Sequence, residues 1–104
     1  MKFLIVTCLK EYQEEVVKIF KQAFINAFSA TTITGFKDNQ QPDLLEEWFA
    51  SGDEKFDSVM LFSFTTAENA ALAMELVKKF NAANAGDFPL RAFIVPVEQS
   101  AYKL

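Results

Sequence analysis

Two stretches of this chain lack the apolar-polar alternation of a half-wet strand, and they constrain the fold more than anything else in it. In Phe3 to Leu9, Phe3 and Ile5 point one way while Leu4, Val6 and Cys8 point the other; in Ser58 to Thr65, Val59 and Leu61 oppose Met60, Phe62 and Phe64. Strands written this way are covered on both faces. Two of them in one short chain require a sheet whose central strands are buried on both sides.

The remaining segments supply only part of that cover. From Lys10 to Phe28 the period becomes helical, with Val16, Phe20, Ala23, Phe24 and Ala27 on one face, Glu11, Glu14, Lys18 and Gln22 on the other, and Glu14 and Lys18 spaced as an i, i+4 ion pair. Ala30 to Phe36 is short, β-branched and half polar, as an edge strand is, and Gly35 in it signals a bulge or a close backbone approach. Thr65 and Glu68 have the spacing of a capping box, which starts a second helix near Thr66. That helix buries Ala70, Ala73, Met74, Val77 and Phe80 and stops at Asn84-Ala85-Gly86. Leu90 to Val97 forms the last strand, and Pro96, which has no N–H to give a ladder, puts it at an edge.

The resulting order is βαββαβ, the ferredoxin-like split βαβ arrangement: an α+β fold, one domain over residues 1–104, with an antiparallel sheet ordered 4-1-3-2 and both helices on one face. Its second face would present either Phe3, Ile5, Val59 and Leu61, or Leu4, Val6, Met60, Phe62 and Phe64. An apolar surface of that extent is expected to pack against other copies of the chain, the alternative being that the stretch from Lys37 to Asp57 folds back over it.

Composition removes several classes of function. With 51% hydrophobic residues, 12 phenylalanines and only three glycines and three prolines, the 104-residue chain is globular and not disordered. A net charge of −4, with no basic cluster longer than Lys78-Lys79, argues against nucleic acid as a partner. The single cysteine, Cys8, rules out an intramolecular disulfide and fits a reducing compartment. The opening MKFLIVTCL is too short in its apolar run to span a membrane and lacks a small-residue cleavage site, so a cytoplasmic protein is expected. No histidine occurs, which removes Ser-His and Cys-His nucleophile pairs and imidazole metal ligands, and Cys8 reads as a small core residue; no catalytic residue is assigned.

One long passage, Lys37 to Asp57, is not needed to build the sheet. From Asp43 to Asp57 it carries Asp43, Glu46, Glu47, Asp53, Glu54 and Asp57 against Lys55 alone, without the D-x-D-x-D-G spacing of a calcium loop, so it reads as a solvated acidic surface and no metal site is assigned. Leu44, Leu45, Trp48 and Phe49 fall on one side of a short helix that Asp43 can cap and Gly52 can end. That stripe either docks the helix on its own subunit or binds a partner through Trp48. Gly86-Asp87 either caps the second helix or presents backbone N–H groups to an anion.

Three short motifs carry a family resemblance: Thr34-Gly35-Phe36 before the insert, Gly86-Asp87 after the second helix, and Pro96-Val97-Glu98 ending the last strand. In order and spacing they resemble the PII nitrogen-regulatory proteins, which share a superfamily with the CutA proteins; Trp48 ahead of a strand is also similar to CutA. The resemblance implies a homotrimer of subunits packed through their sheets, the insert taking the place of the PII T-loop, an effector site in the clefts near Gly35, Phe36, Gly86 and Asp87, and regulation of a partner protein such as a membrane transporter. It does not carry ATP or ADP binding over. A typical PII protein continues its Gly-Asp with Gly-Lys and has basic residues after Pro-Val-Glu, where this chain has Phe88-Pro89-Leu90-Arg91 and Gln99-Ser100-Ala101-Tyr102. Lys37, Asp38 and Asn39 likewise depart from the pattern that binds 2-oxoglutarate, and the insert holds no tyrosine for uridylylation. Two other classes stay open: a small enzyme of the dimeric α+β barrel type, and an interaction module without a ligand.

Overall fold

The structure of the chain, a computed structural model, describes residues 1–36, 55–84 and 88–101. Among them, β1 (Lys2–Leu9), α1 (Gln13–Gln22, entered through a 3-10 turn at Lys10–Tyr12), β2 (Ser29–Phe36), β3 (Lys55–Thr65), α2 (Ala67–Ala83) and β4 (Arg91–Pro96) follow in the expected order. The sheet is antiparallel throughout and ordered β2-β3-β1-β4, so the two doubly apolar strands are central and β4, with Pro96, is an edge.

The register decides which residues share a face. Ile5 lies opposite Phe62 and Phe93, and Val6 opposite Leu61 and Ala92. Leu4, Val6, Cys8, Val59 and Leu61 therefore face the helices together, and Phe3, Ile5, Met60, Phe62 and Phe64 share the other side. This corrects both expected groupings, each of which mixed the two faces. Alternation within a strand says which of its own residues are on one side but not how two strands are offset.

On the helix side the core is closed. Val16, Ile19 and Phe20 of α1 and Ala73 and Val77 of α2 pack with Leu4, Val6, Cys8, Val59 and Leu61, all buried. Each large aliphatic or aromatic side chain in such a site is worth about 1.5–3 kcal/mol over exposure. The alanines on the inner side of α2, Ala70 and Ala73, are fully buried.

Both helix ends depart from expectation. α1 stops at Gln22 instead of running to Phe28: the Phe24 N–H donates to the Lys21 carbonyl (3.1 Å) and the Ile25 N–H to the Phe20 carbonyl (2.9 Å), which is a Schellman ending. Phe24 takes the left-handed position, with φ 63°, and its side chain points to solvent instead of extending the buried stripe. Ala27 is exposed as well. In α2 the cap is Thr66, one residue beyond the expected Thr65; its hydroxyl accepts from the Asn69 N–H at 3.1 Å. Lys18 pairs with Glu15 at 3.9 Å, where the spacing had pointed to Glu14.

Candidate functional site

The expected site residues distribute unevenly. Gly35 and Phe36 end β2, opposite Phe56 and Lys55, in a ladder that is regular from Ser29 onward, so Gly35 marks no bulge. Lys55, Phe56 and Asp57, expected in the insert, belong to β3, which shortens the insert to residues 37–54. Leu44, Leu45, Trp48 and Phe49 lie outside the described residues, as do Gly86 and Asp87 and the carboxylates Asp43, Glu46, Glu47, Asp53 and Glu54.

What the structure does define is the frame around the connection from α2 to β4. At its start the Asn84 side chain donates to the Phe80 carbonyl (2.9 Å). At its end Asn81 clasps Leu90, its Nδ2 donating to the Leu90 carbonyl (2.9 Å) while the Leu90 N–H donates to its Oδ1 (2.8 Å). Leu90 is buried, and Arg91 follows it opposite Thr7. The C-terminal end of β2 and the start of β4 thus leave the sheet at the same end but from opposite edges. Three strand spacings separate them, about 14 Å at ~4.8 Å each.

The face away from the helices is graded along the strands. Toward the N-terminal end of β1 it is aromatic: Phe3 stacks on Phe64 with centroids 4.6 Å apart and meets Phe62 edge-on at 5.8 Å, and Phe93 and Val95 extend the patch across β4. Phe64 is 55% exposed. Toward the other end the cross-strand row Arg91, Thr7, Met60 and Thr31 is mixed. Beyond it Ser58 is buried with its hydroxyl unpartnered.

A groove of about 350 Å³ opens beside the aromatic patch, lined by Ala27, Phe28, Ser29, Phe62, Ser63 and Phe64. It exists because β2 begins only at Ser29, opposite Phe62, which leaves the end of β3 paired with β1 but without a strand on its other side. The Ser63 hydroxyl closes its floor by donating to the Ala27 carbonyl at 2.7 Å. Its walls are apolar rings and small polar side chains, suited to a flat, weakly polar group. Sequence reasoning missed it because it assigned Ala27 to a helix; the only hint was the polar Ser63 among apolar residues.

Cys8 is not part of any site. It lies wholly buried on the helix face, and desolvation pushes its thiol up to about 11, so the nucleophilic thiolate is suppressed.

Solved structures of similar shape include a PII-like signalling protein from Thermus thermophilus, at 12% identity and a TM-score of 0.61 over 89% of this chain and 82% of that one. CPII, a nitrogen regulatory PII-like protein from Thiomonas intermedia solved with ADP, AMP and bicarbonate, matches at 12% identity and a TM-score of 0.62, over 89% and 84%. The fold is PII-like. No protein-family model and no curated protein matches the chain by sequence. The PII-like fold is thus recognised from backbone geometry, with little of its side-chain chemistry held in common. Among the described residues no helix is long and apolar enough to cross a membrane.

Proposed function

We propose that the chain is a PII-like regulatory protein and no enzyme: a homotrimer, packed through the sheet face away from the helices, that binds a small effector in clefts between subunits and signals to a partner protein through the insert at residues 37–54. The observation that carries this reading is the aromatic face of Phe3, Phe62, Phe64 and Phe93, which lies on the side of the sheet away from both described helices. In its support, the two neighbours in shape are named for signalling and nitrogen regulation.

Effector contacts are proposed at Gly35, Phe36, Gly86 and Asp87, partner contacts at Leu44, Leu45, Trp48 and Phe49, and a membrane transporter as one class of partner. The Ala27–Ser29 groove is proposed as a further wall. It lies at the opposite end of β2 from Gly35, six residues or about 20 Å away at ~3.3 Å per residue. One small effector that touches both would have to lie between subunits. Because the basic residues that hold phosphates in the typical pattern are replaced, the proposed effector is not bound through a triphosphate. Binding would act by favouring one insert conformation over another, which requires different affinities for the two.

Light scattering on the purified chain, with thermal unfolding against adenine nucleotides, 2-oxoglutarate, bicarbonate and divalent metals, tests the proposal. A trimer is expected, with one compound raising stability by about 2.7 kcal/mol at 100 times its Kd. A monomer would overturn the assembly, and a trimer indifferent to every compound would overturn the effector.

A further inference from the structure

We infer that the sheet face away from the helices holds a docking surface at its Thr7–Ser58 end, and that its occupant is the chain's own segment 37–54, seated through Leu44, Leu45, Trp48 and Phe49. Thr7 and Ser58 lie on that face, because Val6, Cys8 and Val59 point to the helices and neither β1 nor β3 breaks register between them. Yet Thr7 is 0% exposed and Ser58 1%. Neighbouring side chains alone do not achieve this: at the other end of the same face Phe64 and Val95 are exposed, and Phe3 and Ile5, in the same strand as Thr7, are partly open. The Thr7–Ser58 end therefore carries a layer that the aromatic end lacks.

No described element supplies that layer. α1 and α2 pack on the opposite face, and the 3-10 turn after β1 leads to Tyr12, whose ring meets Phe80 on the helix side. Leu90, ahead of β4, belongs to the helix-side core. The tail after β4 starts at the far end, where the Val97 N–H donates to the Met1 carbonyl, and residues 98–101 are exposed. Residues 85–87 adjoin β4, two strands away from Ser58. The segment 37–54 leaves from the covered end itself: its flanks, Phe36 and Lys55, pair with each other three residues beyond Ser58, about 10 Å at ~3.3 Å per residue. Chemistry then selects the stripe. The Ser58 hydroxyl has no hydrogen-bond partner, whereas a carboxylate laid against it would have accepted its proton, so what covers it is apolar. Leu44, Leu45, Trp48 and Phe49 are the segment's only large apolar side chains. Docked there, the stripe leaves the aromatic end of the face to other contacts. It also cannot meet a partner at the same time; that consequence, unlike the docking, rests on the partner contacts proposed above.

The test uses Ser58→Cys, nearly isosteric, in the full chain. The introduced thiol is expected to react with a disulfide reagent on the order of 100-fold more slowly than an open thiol, and equally slowly at concentrations below those at which copies associate. The native chain, whose only thiol is the buried Cys8, supplies the blank. Adding L44A/L45A/W48A/F49A should abolish the protection while the circular dichroism of the sheet and helices persists. Emission from Trp48, the only tryptophan, reads the same contact with the stripe intact: blue-shifted in the native chain, and moved to the red by Thr7→Glu. Fast labelling of Ser58→Cys in the intact chain, protection that survives the four alanines, or protection lost on dilution would overturn the docking, the last by assigning the cover to a second copy. A monomer with a protected thiol would overturn the trimer and leave the docking standing.

Discussion

Phe24 occupies a backbone position that glycine takes without cost. A left-handed φ of 63° places Cβ against the following carbonyl, which costs roughly 1–2 kcal/mol for a residue other than glycine, and the ring recovers little of it at 69% exposure. Phe24→Gly is therefore expected to raise unfolding stability by roughly 0.5–1 kcal/mol in urea titration, part of the relief being offset by a more flexible unfolded chain. A loss of stability would show that the ring makes contacts that matter. Cys8 is the opposite case, a residue whose chemistry is silenced by its place. With its thiol held at about 11 against an ordinary 9.0, the folded state keeps the proton longer than the unfolded one. Its contribution is fully present below pH 9 and fades as pH rises through 11, so stability falls across that window, by on the order of 2–3 kcal/mol for a rise of that size. Cys8→Ala should flatten the alkaline limb of a stability-pH curve, and native Cys8 should react with a disulfide reagent only as fast as the protein opens.

At the level of elements, local chemistry legible in the sequence placed each helix and strand of the described residues but missed several ends. The alternative caps Thr65 and Thr66 differ by one position, and only the geometry shows that the Thr66 hydroxyl meets the Asn69 N–H while Thr65 is the last residue of β3. Thr66→Ala should cost about 1 kcal/mol in chemical denaturation, and Thr66→Asp should restore it through the same acceptor at the positive end of the helix. A variant as stable as wild type would return the cap to another residue. The end of α1 was illegible for a related reason: the apolar spacing of Phe20, Ala23, Phe24 and Ala27 continues a helix, while the chain turns at a residue with no turn signal of its own. The insert was overdrawn by Lys55 to Asp57 because charged residues at a strand end look like loop until their partners Thr34 to Phe36 are known. The expected contact residues from Leu44 to Phe49, and Gly86 and Asp87, rest on sequence and resemblance alone.

For the whole molecule, the order of strands was readable because two doubly apolar segments could only be central, while the make-up of each face was not, because offset between strands leaves no trace in either strand. The register turns a vague apolar surface into a defined aromatic patch, and that definition supplies the test. Phe64 is 55% exposed and stacks on the ring of Phe3, so Phe64→Glu should cost the monomer only about 0.5–1.5 kcal/mol of ring contact. In an assembly packed through this face the same carboxylate would be buried without a partner, a penalty of several kcal/mol at each contact. The variant is expected to fall to monomer in light scattering while keeping the circular dichroism of the folded chain. Leu61→Ala, on the helix side and fully buried, should do the reverse, losing about 2–5 kcal/mol of stability without touching the association surface. If Phe64→Glu stays assembled, the sheet face is not where copies meet, and the aromatic patch must be read instead as the wall of the Ala27–Ser29 groove.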